Sequence, residues 1–177
     1  FSPSRLHTLR TRNSAAYKGI YALLMDDETK DWLSATKIDF STYFSESINI
    51  HHIFPVAWCV KNGISKDDYN CIINKTPLSG RTNRIVGGEA PSKYLVRLQK
   101  HAGVSDDEFQ DILKSHVLSP EFLYTDDFEN FFNDRKERIL QRIEKVMNKP
   151  ILRESVQAEE GVYIDEDTEE ESYTFNI

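Results

Sequence analysis

The sequence predicts an α+β domain, mostly helical and wrapped around one small piece of sheet. Its 177 residues, 39% hydrophobic and 11% aromatic, are enough for a single ordinary core. Apolar residues recur with the helical period through most of the body, and after residue 90 the pattern is wholly helical. Between these helical stretches, N-I-H-H-I-F-P at 49–55 and N-K-T-P-L-S at 74–79 have the make-up of brief strands.

The elements follow in chain order. Asn13 is a candidate N-cap for an amphipathic helix over 13–26, with Ala16, Tyr17, Ile20, Leu23 and Leu24 on one face. Trp32 and Leu33 are expected to close over it. The weakly alternating stretch from Lys37 to Ile50 then delivers the chain to the histidine pair as a short strand. Beyond Pro55 a helical turn through Trp58 ends near Asn62 and Gly63, and Ser65 with Asp68 has the spacing of a capping box for another. Cys71-Ile72-Ile73 leads into the second strand, where Pro77 removes a ladder donor and so marks an edge. Ser79 caps a helix carrying Asn83, and Gly87-Gly88 ends it. Pro91 and Ser92 open a helix with Tyr94, Leu95 and Leu98 on one face and Gly103 as its stop. Ser105 with Glu108 boxes the start of a helix through Val117. Thr125, Asp126 and Asp127 start a long one to about Asn148, whose Phe128, Phe131, Phe132, Arg135, Ile139, Ile143 and Val146 form the stripe expected of core.

Composition narrows the function classes. No apolar run approaches the roughly 20 residues that cross a bilayer, and F-S-P-S-R-L-H-T-L-R lacks the basic-then-apolar build of a secretory signal, so a cytoplasmic location is expected. The first residue is not Met, which suggests a piece of a longer protein. Cys59 and Cys71, twelve apart, form neither a metal pair nor a disulfide framework and read as reduced, semi-buried thiols. The net charge of −7 is unevenly spread: residues 1–153 carry 22 basic and 20 acidic side chains, +2 in all, while 154–177 carry −9. The body therefore need not repel a polyanion. Residues 151–177 read as an acidic, solvated tail, with a nucleic-acid mimic shielding a basic cleft as the alternative.

The chemistry concentrates between His51 and Asn83. Successive strand residues face opposite ways, so His51 and His52 cannot share one environment and each needs its own role. A strand, a second strand and a helix can fold into a cradle in which one histidine ligates a metal while its neighbour activates water. No G-x-x-x-x-G-K-[ST] loop is present, so nucleotide hydrolysis within this chain has no support.

These residues have a recognisable order. H-H-I-F-P, then Asn74, then Asn83 resembles the ββα-metal finger of HNH endonucleases. The likeness extends through Y-K-G-I-Y-A-L-L-M, D-W-L, I-I-N-K-T-P-L-S, T-N-R-I-V-G-G-E-A-P-S-K-Y-L and D-F-x-x-F-F-x-x-R, which together look like the C-terminal HNH region of GmrSD-type restriction endonucleases over about residues 9–150. The resemblance implies an HNH nuclease domain over 1–150, its finger at about 48–90 and helical flanks at 9–33 and 91–149. It implies His52 as general base, Asn74 as the residue that holds the base-bearing loop, and His51 and Asn83 as ligands of one Mg²⁺ or Mn²⁺ ion. Lys75, Arg81 and Arg84 would meet DNA phosphates. The reaction implied is hydrolysis of DNA phosphodiester bonds, in bacterial defence, downstream of an N-terminal ParB-like NTPase domain. One finger carries one active site, so a monomer should nick and a double-strand break would need two copies, as in a homodimer.

Each assignment has a plainer counterpart. His7, His101 and His116 read as hydrogen-bonded structural histidines, Asn74 could merely shape a turn, and Arg81 and Arg84 could be ordinary surface charges. Asn49 stands where relatives often carry an acidic residue two before the histidine pair, which leaves the surroundings of the metal open. A non-catalytic DNA-binding module and a nuclease acting on RNA remain as alternative functions.

Overall fold

The computed structural model describes residues 1–10, 14–25, 28–38 and 48–153. The acidic tail beyond Arg153, Asn13, and most of the alternating stretch before the histidine pair lie outside them. Among the described residues the architecture is α+β and mostly helical. Two helices, α1 (Arg5–Thr8) and α2 (Ala15–Leu24), precede strand β1 (Asn49–His52). Helices α3 (Val56–Lys61) and α4 (Lys66–Tyr69) and a 3-10 turn (Ile72–Asn74) lead into β2 (Lys75–Leu78). Then come α5 (Gly80–Val86), α6 (Pro91–Ala102), α7 (Asp106–Lys114), α8 (Pro120–Tyr124) and α9 (Phe128–Met147). β1 and β2 pair antiparallel, Asn49 opposite Leu78, Ile50 opposite Pro77, His51 opposite Thr76 and His52 opposite Lys75. In a two-stranded sheet both strands are edges, which is where Pro77 is tolerated.

Local chemistry sets most boundaries. Ser65, Ser79 and Ser105 each cap their helix, accepting from the backbone N–H of Asp68, Thr82 and Glu108 respectively. Ser14 does the same for α2 through Tyr17 N–H. Pro91 sits in the first turn of α6, and Gly103 takes the left-handed conformation, φ 67°, that closes it.

Two expectations are corrected. Helix α7 ends at Lys114 rather than Val117, because the chain turns out of the helix to send His116 inward; Val117 then adopts φ 62°. Val146 is 66% exposed, since the last turn of α9 runs past the core that its earlier turns cover. Trp32 shares the core with Tyr17, Ile20 and Leu24 of α2, stacks with Tyr94 of α6 (6.2 Å) and meets His116 edge-on (5.4 Å). Two short helices, α1 and α8, had no sequence signal strong enough to name them.

A single core includes Leu6 and Leu9, Tyr17, Ile20 and Leu24 of α2, Ile53 and Phe54 after β1, Tyr94, Leu95 and Leu98, and the α9 stripe from Phe128 to Ile143. Both cysteines are free and buried within it. The core extends slightly past 150: Ile151 is buried, its N–H donates to Glu144, and Arg153 pairs with Glu137 and Glu144 on α9. Phe54 ties this core to the strand, packing on Phe131 (4.8 Å), Trp58 (5.0 Å) and Phe128 (5.2 Å).

Candidate functional site

β1 carries both histidines, and the register separates their surroundings. Residues directly opposite in an antiparallel pair share a face, so His51 lies with Thr76 and His52 with Lys75. Thr76 is fully buried and donates its hydroxyl to His116 Nδ1 (2.6 Å), because the other ring nitrogen of His116 must donate to the Lys30 carbonyl (2.6 Å). His116 is thus the hydrogen-bonded structural histidine that was expected. His51 Nε2, by contrast, is buried and has no hydrogen-bond partner among the described residues. Burial lowers the His51 pKa, and the nearby Asp31 carboxylate opposes that shift.

Asp31 is the buried acidic residue beside this unit to which sequence reasoning gave no role. It is 1% exposed and sits where the loop before β1 meets the start of α5. Its carboxylate accepts Ser79 N–H (2.8 Å), the Thr82 hydroxyl (2.7 Å), Leu33 N–H (3.1 Å) and Ser34 N–H (3.2 Å). Burial works against the charge, but these donors outweigh it and hold the carboxyl below its usual range. Its one sequence signal was its place in the D-W-L motif. The consequence is mechanical: Asp31 fastens the first turn of α5, the helix that carries Asn83, beside the face of His51. Asn83 is half-buried, and its side chain makes no hydrogen bond among the described residues.

On the other face, His52 Nε2 lies 3.2 Å from Asn70 Oδ1 and its ring stands edge-on to Tyr69 at 6.4 Å. With the Asn70 oxygen turned toward it, Nε2 carries the proton and Nδ1 keeps a lone pair. Burial first, and then the Lys75 charge, push the His52 pKa down to about 4, with Asn70 opposing, so the ring is neutral at pH 7.

Asn74 bridges two segments of the chain. Fully buried, it accepts Phe54 N–H at Oδ1 (2.8 Å) and donates through Nδ2 to the Phe54 (2.9 Å) and Tyr69 (3.0 Å) carbonyls. One amide therefore fixes the chain two residues after His52 and the loop that carries Asn70. The backbone joins in: Ile53 N–H donates to the Asn74 carbonyl (2.9 Å), and the Tyr94 hydroxyl donates to the Ile53 carbonyl (2.7 Å).

The basic residues divide. Arg81 and Arg84 are exposed on α5. Lys75 sits differently from a surface phosphate contact: it is 8% exposed and its ammonium donates to the Arg10 carbonyl (2.7 Å). It acts on His52 through its field rather than through solvent. Asn49 opens β1, exposed and opposite Leu78.

The unit offers two candidate donor groups for a cation. A buried, unpartnered imidazole nitrogen and an amide side chain on a helix fastened nearby offer one nitrogen and one oxygen, leaving most positions for water and phosphate oxygens, as Mg²⁺ and Mn²⁺ prefer. Among the described residues no group of three or more His, Cys, Asp or Glu comes together to hold a metal ion.

No protein-family model matches the chain. No solved structure matches it either. Among curated proteins it is similar to the uncharacterized protein MJ0686 of Methanocaldococcus jannaschii, 30% identical over 159 residues that take in 78% of this chain. The chain spans 27% of that relative's length. No helix among the described residues is long and apolar enough to cross a membrane.

Proposed function

We propose that this domain is a divalent-metal-dependent endonuclease of the ββα-metal (HNH) type, which hydrolyses DNA phosphodiester bonds one strand at a time. The observation that carries the reading is the double fastening of the β1–β2–α5 unit: Asn74 pins the loops on either side of His52, and Asp31 pins the start of α5 beside His51. A purely structural hairpin has no need for two imidazoles on opposite faces with separate buried polar supports.

The chain's own residues would act as follows. His52, neutral at pH 7, takes a proton from the attacking water at the nitrogen that faces away from Asn70. The phosphodiester anion raises the basicity of that ring when it binds, offsetting the effect of Lys75. His51 and Asn83 would hold the cation, which when bound supplies charge stabilisation to the phosphorane and to the departing 3′ oxygen. Asn74 keeps the backbone beside His52 fixed, so that its role is positional. Arg81 and Arg84, exposed on α5, would meet phosphates along the strand.

DNA as substrate, a role in bacterial defence and an adjoining ParB-like NTPase domain rest on the family resemblance. The test is nicking of supercoiled plasmid across a series of Mg²⁺, Mn²⁺ and Ca²⁺, beside single-stranded DNA and RNA. The reading expects metal-dependent nicking abolished by EDTA and by His52→Ala. Equal cleavage by wild type and His52→Ala would end it. Retained duplex binding without cleavage would favour a DNA-binding module, and preference for RNA would change the substrate class.

A further inference from the structure

The nuclease reading leaves one buried charge unused. Arg135 of α9 is fully buried, and among the described residues no carboxylate pairs with it. It occupies a stripe otherwise filled by Phe131, Phe132 and Ile139, where an apolar side chain would pack without desolvating a cation. Its donors show what it does instead. Nη1 donates to the carbonyls of Ile73 and Lys75 (2.9 Å for the latter), and Nη2 donates to the His116 carbonyl (3.2 Å).

Ile73 and Lys75 are the two neighbours of Asn74. We propose that Arg135 is a positioning residue for the candidate active site, its guanidinium fork locking the peptides on both sides of Asn74 so that the Asn74 amide can hold the loops around His52. The inference rests on the nuclease reading for its catalytic consequence, although the mechanical part does not need it. Only a planar fork reaches three carbonyls from two separate segments with fixed angles; an ammonium supplies a point charge and cannot match that geometry. The third carbonyl matters because the His116 ring holds Thr76, the residue opposite His51. Arg135 thus sits where the supports of both histidine faces meet. Being wholly buried, it cannot touch a polymer bound at the surface, so its loss should lower kcat and leave KM unchanged.

The test compares Arg135→Met with Ile139→Ala, a core variant on the same helix that loses stability without touching the carbonyls. Amide hydrogen exchange is followed at Phe54 and Asn74, and nicking is followed as kcat and KM. Arg135→Met should expose the Phe54 amide to exchange beyond what its lower stability explains and reduce kcat on the order of 100-fold, the effect of misplacing a catalytic group by about 1 Å. Ile139→Ala should raise exchange only as far as its lower stability explains and should keep kcat. Like behaviour of the two variants would overturn the inference. Should Arg135→Met not fold, Arg135→Lys and the wild type decide: slow-exchanging Nη protons with couplings across the hydrogen bonds to Ile73, Lys75 and His116 are expected in the wild type, and their absence would refute it. A wild type that does not nick would remove the nuclease reading, while the exchange comparison would still judge Arg135.

Discussion

The long helix α9 and the β1–β2–α5 unit are held in place by opposite means. α9 is fixed by area: Phe128, Phe131, Phe132, Ile139, Leu140 and Ile143 are buried along one stripe, and any one contact is a small share of the whole. The β1–β2–α5 unit is short, and its two strands have four residues each. Its shape depends on a few buried polar groups, Asn74, Asp31 and Arg135, each making three or more directed bonds. Apolar packing tolerates small shifts, whereas a hydrogen bond weakens steeply with angle. Damage to the apolar stripe of α9 should therefore appear as lost stability, and damage to the polar groups that hold the β1–β2–α5 unit, Arg135 of α9 among them, as lost geometry.

The sharpest test of that division is His52→Ala. Nicking should fall by about 10²–10⁴-fold, the usual worth of a general base, while thermal stability at pH 7 changes far less, since the ring is neutral there in the folded chain and gives up a single hydrogen bond, to Asn70. Plasmid cleavage and a melting curve on the same sample check both halves. Phe131→Ala should do the reverse, costing about 3–5 kcal/mol of stability with little change in nicking per folded molecule at low temperature. Loss of nicking in proportion to neither stability nor His52 would break the comparison. Asn74→Ala should score on both axes. It strands Phe54 N–H and two carbonyls in the interior, worth about 3 kcal/mol in denaturant unfolding, and frees the loops beside His52. Asp31→Asn should cost less, about 2 kcal/mol, since an amide keeps one acceptor for the α5 donors. Its signature should be weaker Mn²⁺ binding by calorimetry, as α5 loosens beside His51.

The same division explains what could be read in advance. α6 and α9 announced themselves because apolar periodicity over 12 and 20 residues is a statistical signal, and Ser79 and Ser105 because a cap is a local one. Neither kind of signal exists for Asp31. Its partners, Ser79 and Thr82, lie 48 and 51 residues away, and an aspartate before a tryptophan looks like any loop residue until the chain has folded. Arg135 appeared on the correct face of its helix, but nothing in the stripe said that its side chain ends on carbonyls about 60 residues upstream, at Ile73 and Lys75. Lys75 was expected to meet phosphates for a related reason: a lysine's usual exposure is a prior, and here the side chain is buried with its ammonium on the Arg10 carbonyl. Tight polar contacts between distant segments leave no periodic trace, which is why Asn74 and the histidine pair were legible only as a motif.

Acid should distinguish the two polar supports of the β1–β2–α5 unit. His52 has a folded pKa of about 4, below the 6.5 of an unfolded histidine, so the unfolded chain takes up the proton first. Stability is then complete above about pH 6.5, declines as pH falls toward 4, and loses nothing further to this group below that; His51, also lowered, adds in the same sense. Asp31, held below its usual 3.8, stabilises the fold above that value and stops doing so only at lower pH still. The two windows barely overlap. Denaturant unfolding at pH 7, 5 and 4 should show wild type losing about 2 kcal/mol more than His52→Gln, after allowing for solvent at the ring's open edge. Equal losses would mean that the His52 imidazole is not desolvated in the folded protein. The neutral, poised base would then have to be sought elsewhere.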